Sequence, residues 1–256
     1  MVEQLTPQFF EGRDGVRLAY RETGQGRPLV LIHGFFSTAT ENWVRYGTAG
    51  RLAAAGYRVL MPDLRGHGDS AKPHDPAAYP RDALADDGLA FVEHLGLTDY
   101  DLGGYSMGAR TVVRMLARGA APGRAVVAGT GLDGIGDTAG RAVHFRRVLT
   151  NLGTFERGSS EWLAEAFLKT IGGDPVAMLH VLDTQIDTPF ESLAFIETPV
   201  LILIGEQDEA HESAKELAAA LPGSRFAVVP GNHMSAVTKP ALGTAIEDFL
   251  GPAAAA

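Results

Sequence analysis

Ser106 stands between two glycines in Gly104-Tyr105-Ser106-Met107-Gly108, the spacing of a nucleophile elbow, where a strand turns sharply into a helix and leaves a serine exposed. Such a serine adopts a strained backbone conformation. Side chains two positions to either side would collide with the packed strand and helix, so glycine is required at both. Glycine is abundant in this chain, 31 of 256 residues, and the motif gains weight only from a strand before it and a helix after it. Tyr100 to Gly103 is a short apolar-leaning run. Met107 to Arg118 places Met107, Thr111 and Met115 at near-helical intervals, with no proline and no glycine beyond Gly108. A serine hydroxyl is a poor nucleophile at neutral pH, so it needs a base within hydrogen-bonding reach and an acid to orient that base. His233 and Asp208 are the candidates for these roles.

The elements that must position these residues follow from apolar patterning. Gln8 to Glu11 and Val16 to Glu22 flank Gly12-Arg13-Asp14-Gly15 and predict a β-hairpin. Pro28 to Ile32 and Val200 to Ile204 are apolar runs of the kind buried in a parallel sheet, and Tyr57 to Met61, Arg124 to Ala128 and Phe226 to Val229 read as further strands. Helical segments are expected at the residues ending in Leu52 to Ala55, at Arg81 to Leu95, Met107 to Arg118, Ser213 to Leu221 and Ala241 to Leu250. Between about Thr130 and Glu197 the alternation of strand and helix stops. Three helix-like segments, Arg141 to Leu152, Glu161 to Ile171 and Pro175 to Ile186, read there as an inserted cap. The expected fold is α/β, with a mostly parallel central sheet covered by helices on both faces and a small helical cap. The division is residues 1–130 for the first part of the core, 131–196 for the cap and 197–256 for the rest of the core.

In open α/β sheets the working residues lie beyond the carboxyl ends of the strands. His33, Ser106, Asp208 and His233 all fall at such ends, and the last three come in the order nucleophile, acid, base. The chain thereby resembles the α/β-hydrolase superfamily, in its capped, esterase-like branch. The resemblance covers nearly the whole sequence: His33-Gly34-Phe35, Asp63-Leu-Arg-Gly-His67-Gly-Asp-Ser70, the elbow, Gly205-Glu-Gln-Asp208 and Gly231-Asn-His233. It implies a serine hydrolase that cleaves a carboxylic ester, a lactone or a thioester through an acyl-enzyme on Ser106, without metal or organic cofactor. It also implies an oxyanion hole formed by the backbone N–H groups of Phe35 and Met107. The serine excludes the dehalogenase and epoxide hydrolase branches, which carry an aspartate at that position. C–C bond hydrolysis, perhydrolysis and a receptor with little turnover share the same motifs.

Rival assignments are open at this point. Glu206, Asp133 and Asp137 are alternative acids and His211 an alternative base, while the resemblance implies a glycine three residues before the acid, where Gly205 stands, and so favours Asp208. His33 and His67 are expected to brace loops, and Asp63 and Arg65 to form a structural ion pair. On the second cap helix Trp162, Leu163, Ala166, Phe167 and Ile171 form an apolar stripe. On the third, Met178, Leu179, Leu182 and Ile186 form another. Phe36, Trp162 and Phe167 are the candidate pocket residues, and they point to a small-molecule ester with an apolar group.

Composition narrows the partners. A formal charge of −9 with no clustered lysine and arginine argues against nucleic acid and anionic membranes. The absence of cysteine removes disulfides and thiolate chemistry and fits a cytoplasmic setting. The N-terminal residues do not read as a signal peptide, and no apolar run approaches the ~20 residues of a spanning helix, so no membrane insertion is expected. A homo-oligomer is compatible with all of this.

Overall fold

A computed structural model describes residues 5–253, so the outermost residues of the N-terminal stretch read for a targeting signal lie outside the described residues. The sheet contains β1 (Gln8–Glu11), β2 (Arg17–Thr23), β3 (Arg27–Ile32), β4 (Tyr57–Pro62), β5 (Asp101–Tyr105), β6 (Ala125–Ala128), β7 (Val200–Gly205) and β8 (Arg225–Val229). Their spatial order is β1-β2-β4-β3-β5-β6-β7-β8, and among these strands β2 runs opposite to the rest, antiparallel to both β1 and β4. The carboxyl ends of β3, β5, β6, β7 and β8 therefore lie along one rim.

Alternation of side chains across a strand explains why the core divides in two. Leu29 and Leu31 of β3 point to one face, and Val30 and Ile32 to the other. In β7, Leu201 and Leu203 oppose Val200, Ile202 and Ile204 in the same way. Helices α1 (Thr48–Ala54) and α10 (Pro240–Leu250) cover the first face. Helices α2 (Ala83–His94), α3 (Met107–Ala117) and α9 (His211–Ala220) cover the second. Each fully buried Leu, Ile or Val contributes about 1.5–3 kcal/mol, and a one-residue slip of β7 would exchange its two faces, so the apolar pattern holds the register.

Between β6 and β7 lie five helices: α4 (Leu132–Gly136), α5 (Thr138–Thr150), α6 (Ser160–Thr170), α7 (Pro175–Asp183) and α8 (Phe190–Leu193). Ile135 of α4 and Leu193 of α8 belong to the sheet's core, as do Ala177 and Val181 of α7, whereas α5, α6 and the other side of α7 share a separate cluster that includes Val148, Leu149, Leu168, Met178 and Leu182. Two expectations are corrected here. Helix α7 ends at Asp183, where the Thr184 hydroxyl donates to the Val181 carbonyl, so Ile186 is not part of a helical stripe. On α6 the buried residues are Glu165 and Leu168, while Leu163 is 57% exposed. Glu165 is turned inward because its carboxylate accepts the Gly153 N–H, at 2.9 Å, and pairs with Lys169.

The loop from Asp63 to Ser70 is a structural hub. The predicted Asp63–Arg65 pair is not formed. Asp63 accepts the N–H groups of Ala39 and Asp69 and pairs with Arg21, fixing three segments to one carboxylate. Arg65 is instead bidentate to Asp87 of α2 and to Asp14 of the hairpin turn, and also donates to the Ala78 carbonyl. Burial pushes the Asp87 carboxyl up to about 6 against the pull of Arg65, whose own charged form its two carboxylates favour. His67 is fully buried and donates from Nδ1 to the Arg65 carbonyl. Burial, helped by neighbouring His33, pushes its pKa down to about 3.

Replacing Arg65 by leucine leaves Asp87 buried without its partner, and should lower the unfolding free energy in urea by about 3–5 kcal/mol. The neutral His67 gives a second outcome. Its native pKa lies below the unfolded value of about 6.5, so the unfolded chain takes up the proton first and stability is lost as pH falls from about 6.5 towards 3. Urea melts at about pH 7 and pH 5 should differ by roughly 2 kcal/mol from this group, and the difference should shrink in His67→Gln.

Candidate active site

Ser106 sits where β5 turns into α3, with φ 54° and ψ −113°, and its N–H donates to the Ala128 carbonyl of β6 at 2.8 Å. The two motif glycines are sterically obligatory. A Cβ at Gly104 would lie 2.4 Å from the Gly108 carbonyl group, and one at Gly108 would lie 2.2 Å from the Ile32 carbonyl oxygen. The close packing of α3 under β3 thus forces the strained turn, and the turn presents Oγ at the rim of the sheet.

His233 arrives from the loop after β8. Asn232 shapes that loop, its Oδ1 accepting from the N–H groups of Met234 and Ser235 at 3.1 and 2.9 Å. The Tyr105 hydroxyl donates to the His233 carbonyl at 2.6 Å, which ties the loop to the residue before the serine. Asp208, after β7, is buried, and its Oδ1 accepts the Ala210 N–H at 3.0 Å. Its Oδ2 lies 2.9 Å from His233 Nδ1, and His233 Nε2 lies 3.0 Å from Ser106 Oγ. An ionised carboxylate only accepts, so the proton of the neutral imidazole resides on Nδ1 and the Nε2 lone pair faces the serine hydroxyl. The side chain of His233 is 32% exposed, so the pair is reachable from solvent.

The structure brings Ser106, His233 and Asp208 together and leaves the rivals elsewhere. Glu206 is exposed, Asp133 accepts from the Ser213 hydroxyl, Asp137 caps α5 through the Gly140 N–H, and His211 lies beside the Gly205 carbonyl.

The loop after β3 closes over the serine, and the Cβ position of Gly34 is only 3.3 Å from Ser106 Cβ. His33 fixes its orientation. Its Nε2 accepts the Leu64 N–H at 2.9 Å, so Nδ1 carries the hydrogen and donates to the Gly34 carbonyl at 2.7 Å. The Gly34–Phe35 peptide is planar and trans, so pinning its carbonyl also aims the Phe35 N–H in the opposite direction. Burial lowers the His33 pKa and keeps the ring neutral, while these two bonds set the tautomer. The Gly34 N–H in turn donates to Asn42 Oδ1 at 3.0 Å, from the single π turn over Thr40–Val44. Met107 is the first residue of α3, where an N–H has no acceptor within the helix. The two N–H groups expected as donors therefore belong to the two segments that flank Ser106.

Of the candidate pocket residues, Phe36 and Phe167 join the cap cluster, with Phe36 only 2% exposed. Trp162 stands apart, half-buried with the Arg157 guanidinium 5.9 Å from its ring. Phe145 of α5 was not singled out in the sequence, yet its ring stands 5.0 Å from that of Phe35. Tyr105, Asn232 and Asn42 were also missed, because their roles depend on loops meeting across the fold.

Comparison with known proteins follows the same outline. Residues 29–244 match the model of the alpha/beta hydrolase family. A 111-residue segment, 41% of this chain, is 38% identical to the non-heme chloroperoxidase CPO-A1 of Kitasatospora aureofaciens, covering 37% of that protein. A segment of 105 residues, 40% of this chain, is 36% identical to bifunctional epoxide hydrolase 2 of Sus scrofa, covering 18% of it. The chain thus spans well under half the length of these curated relatives. A thermophilic esterase from Thermogutta terrifontis superimposes with a TM-score of 0.75 at 25% identity, over 97% of this chain and 98% of the other. With the family model matched over most of its length and the parallel sheet, elbow and covering helices in place, this chain belongs to the alpha/beta hydrolase family.

Proposed function

We propose that this hydrolase cleaves carboxylic esters through an acyl-enzyme on Ser106. The observation that carries the reading is the unbroken hydrogen-bonded line from Asp208 Oδ2 through His233 to Ser106 Oγ, at 2.9 and 3.0 Å. Ser106 Oγ attacks the ester carbonyl as His233 Nε2 takes its proton, and Asp208 stabilises the imidazolium. Charge gathers on the carbonyl oxygen, where the Phe35 and Met107 N–H groups donate. The positive end of the α3 dipole adds to this field. Collapse of the tetrahedral species returns the proton from His233 to the departing alcohol. Water, deprotonated by the same histidine, then releases the acid.

The aromatic residues of the loop after β3 and of the cap favour an ester with an apolar acyl or alcohol group. The likeness to a chloroperoxidase supports a second reading, in which the acyl group of Ser106 passes to hydrogen peroxide instead of water, giving a peracid and free serine.

The first measurement is hydrolysis of p-nitrophenyl esters from acetate to decanoate by wild type and Ser106→Ala. Wild type should turn over the series, faster on its apolar acyl groups than on a charged one such as the hemisuccinate, and Ser106→Ala should lose about 10⁴–10⁶ in kcat. Equal rates in the two proteins would sink the reading. Added peroxide that diverts acid to peracid would favour the second acceptor.

The assignment of the acid is separable. Asp208→Asn should lower kcat by about 10⁴, because it leaves the imidazole in the wrong tautomer. Glu206→Gln, at an exposed position, should change it by no more than about twofold. A larger loss at Glu206 would transfer the role.

A further inference from the structure

Three non-glycine residues among those described have positive φ: Ser106, Asp82 and Phe36. The elbow accounts for Ser106. Asp82 opens α2, and its carboxylate is held by Arg114 and Arg118. Phe36, at φ 52°, has no such polar anchor, and a bulky residue in this region persists only where its surroundings over-determine it. It directly follows the Phe35 N–H that the proposed mechanism uses.

What surrounds Phe36 is aromatic and comes partly from the cap. Its ring stacks on that of Phe35 with centroids 4.6 Å apart and planes 28° from parallel. Phe145 of α5 stands edge-on to both, 5.0 Å from Phe35 at 82° and 5.2 Å from Phe36 at 75°. These are favoured offset and edge-to-face arrangements. Phe36 is buried in the cap cluster, whereas Phe35 packs against both that cluster and the core of the sheet. The strained turn after the oxyanion donor is thus gripped by a ring that the cap supplies.

We infer that Phe145 is a positioning residue: it holds the Phe35–Phe36 turn, and through it the Phe35 N–H, in the geometry that receives the oxyanion. The inference rests on the ester-hydrolase reading for its kinetic consequence, and on the geometry alone for its structural one. His33 fixes the Gly34 carbonyl from the core side, and Phe145 fixes the following residues from the cap side. Because the donor matters most when charge develops on the carbonyl oxygen, loosening it weakens transition-state stabilisation more than substrate binding. The cap then contributes to the rate itself as well as to the choice of substrate.

The experiment compares wild type, Phe145→Ala and Phe145→Leu on p-nitrophenyl acetate, whose acyl group is small. Phe145→Ala should lower kcat by roughly 10–100-fold with KM within about twofold, less than the ~10²–10³ that follows complete removal of a donor. Inhibition by a trifluoromethyl ketone, which forms the oxyanion on Ser106, should weaken by the same factor. Phe145→Leu, which keeps the apolar bulk, should recover most of both, and Phe145→Val, which keeps less of it, carries the measurement with a smaller loss of kcat at unchanged KM if the alanine variant does not fold. Amide exchange at Gly34, whose N–H is held by Asn42, should quicken in Phe145→Ala while that of β3 does not. A rise in KM at unchanged kcat would overturn the inference, as would unchanged kcat and unchanged exchange at Gly34. If wild type hydrolyses no ester above Ser106→Ala, the ester reading falls, and the Gly34 exchange still decides whether Phe145 holds the turn.

Discussion

The close approach of α3 to β3 is the constraint on which the site depends. No side chain fits at Gly108 because the carbonyl of Ile32 occupies its place, and none fits at Gly104 because Gly108 does. With the helix that near, the chain can leave β5 only through the unfavourable backbone angles of Ser106. The strain is therefore a product of dense packing in the layers below, and it is maintained by the burial of β3 and β5. It leaves Oγ standing clear of the sheet, where two loops from other strands can reach it.

Those loops are ordered by hydrogen bonds whose direction is fixed. His33 and His233 are both held as Nδ1–H tautomers, one by the Leu64 N–H on Nε2 and the other by the Asp208 carboxylate on Nδ1. The first imidazole is sealed in the core and serves as a rigid spacer between the loop after β4 and the loop after β3. The second is partly open to solvent and keeps its Nε2 towards the serine. The same ring performs two different tasks because burial and partners differ.

Much of this was legible from residue types and spacing. The strands announced themselves as short apolar runs, since burial on both faces leaves little room for polar residues, and the elbow announced itself through paired glycines. Asp208 and His233 could be found because each follows a short apolar run at a glycine-marked turn, although only the strand before Asp208 is buried throughout and β8 is buried at Val229 alone. The orientation of α6 was not legible: Glu165 replaces an apolar residue on the inner face, and its reason for being there, the Gly153 N–H, lies in a different loop. Arg65 likewise satisfies carboxylates from α2 and the hairpin turn, which no local pattern around Asp63 could indicate. Phe145 sits in a helix of weak amphipathicity, and its importance arises only when the Phe35–Phe36 turn is brought under it.

The hydroxyl of Tyr105 bonded to the carbonyl of His233 has a mechanical meaning. β8 lies at one edge of the sheet, with Phe226 and Val228 partly in water, and edges open more readily than the centre. The loop it carries is nevertheless tethered to the central strand, one residue from the serine. The spacing between Nε2 and Oγ is thereby referred to the middle of the sheet as well as to its edge.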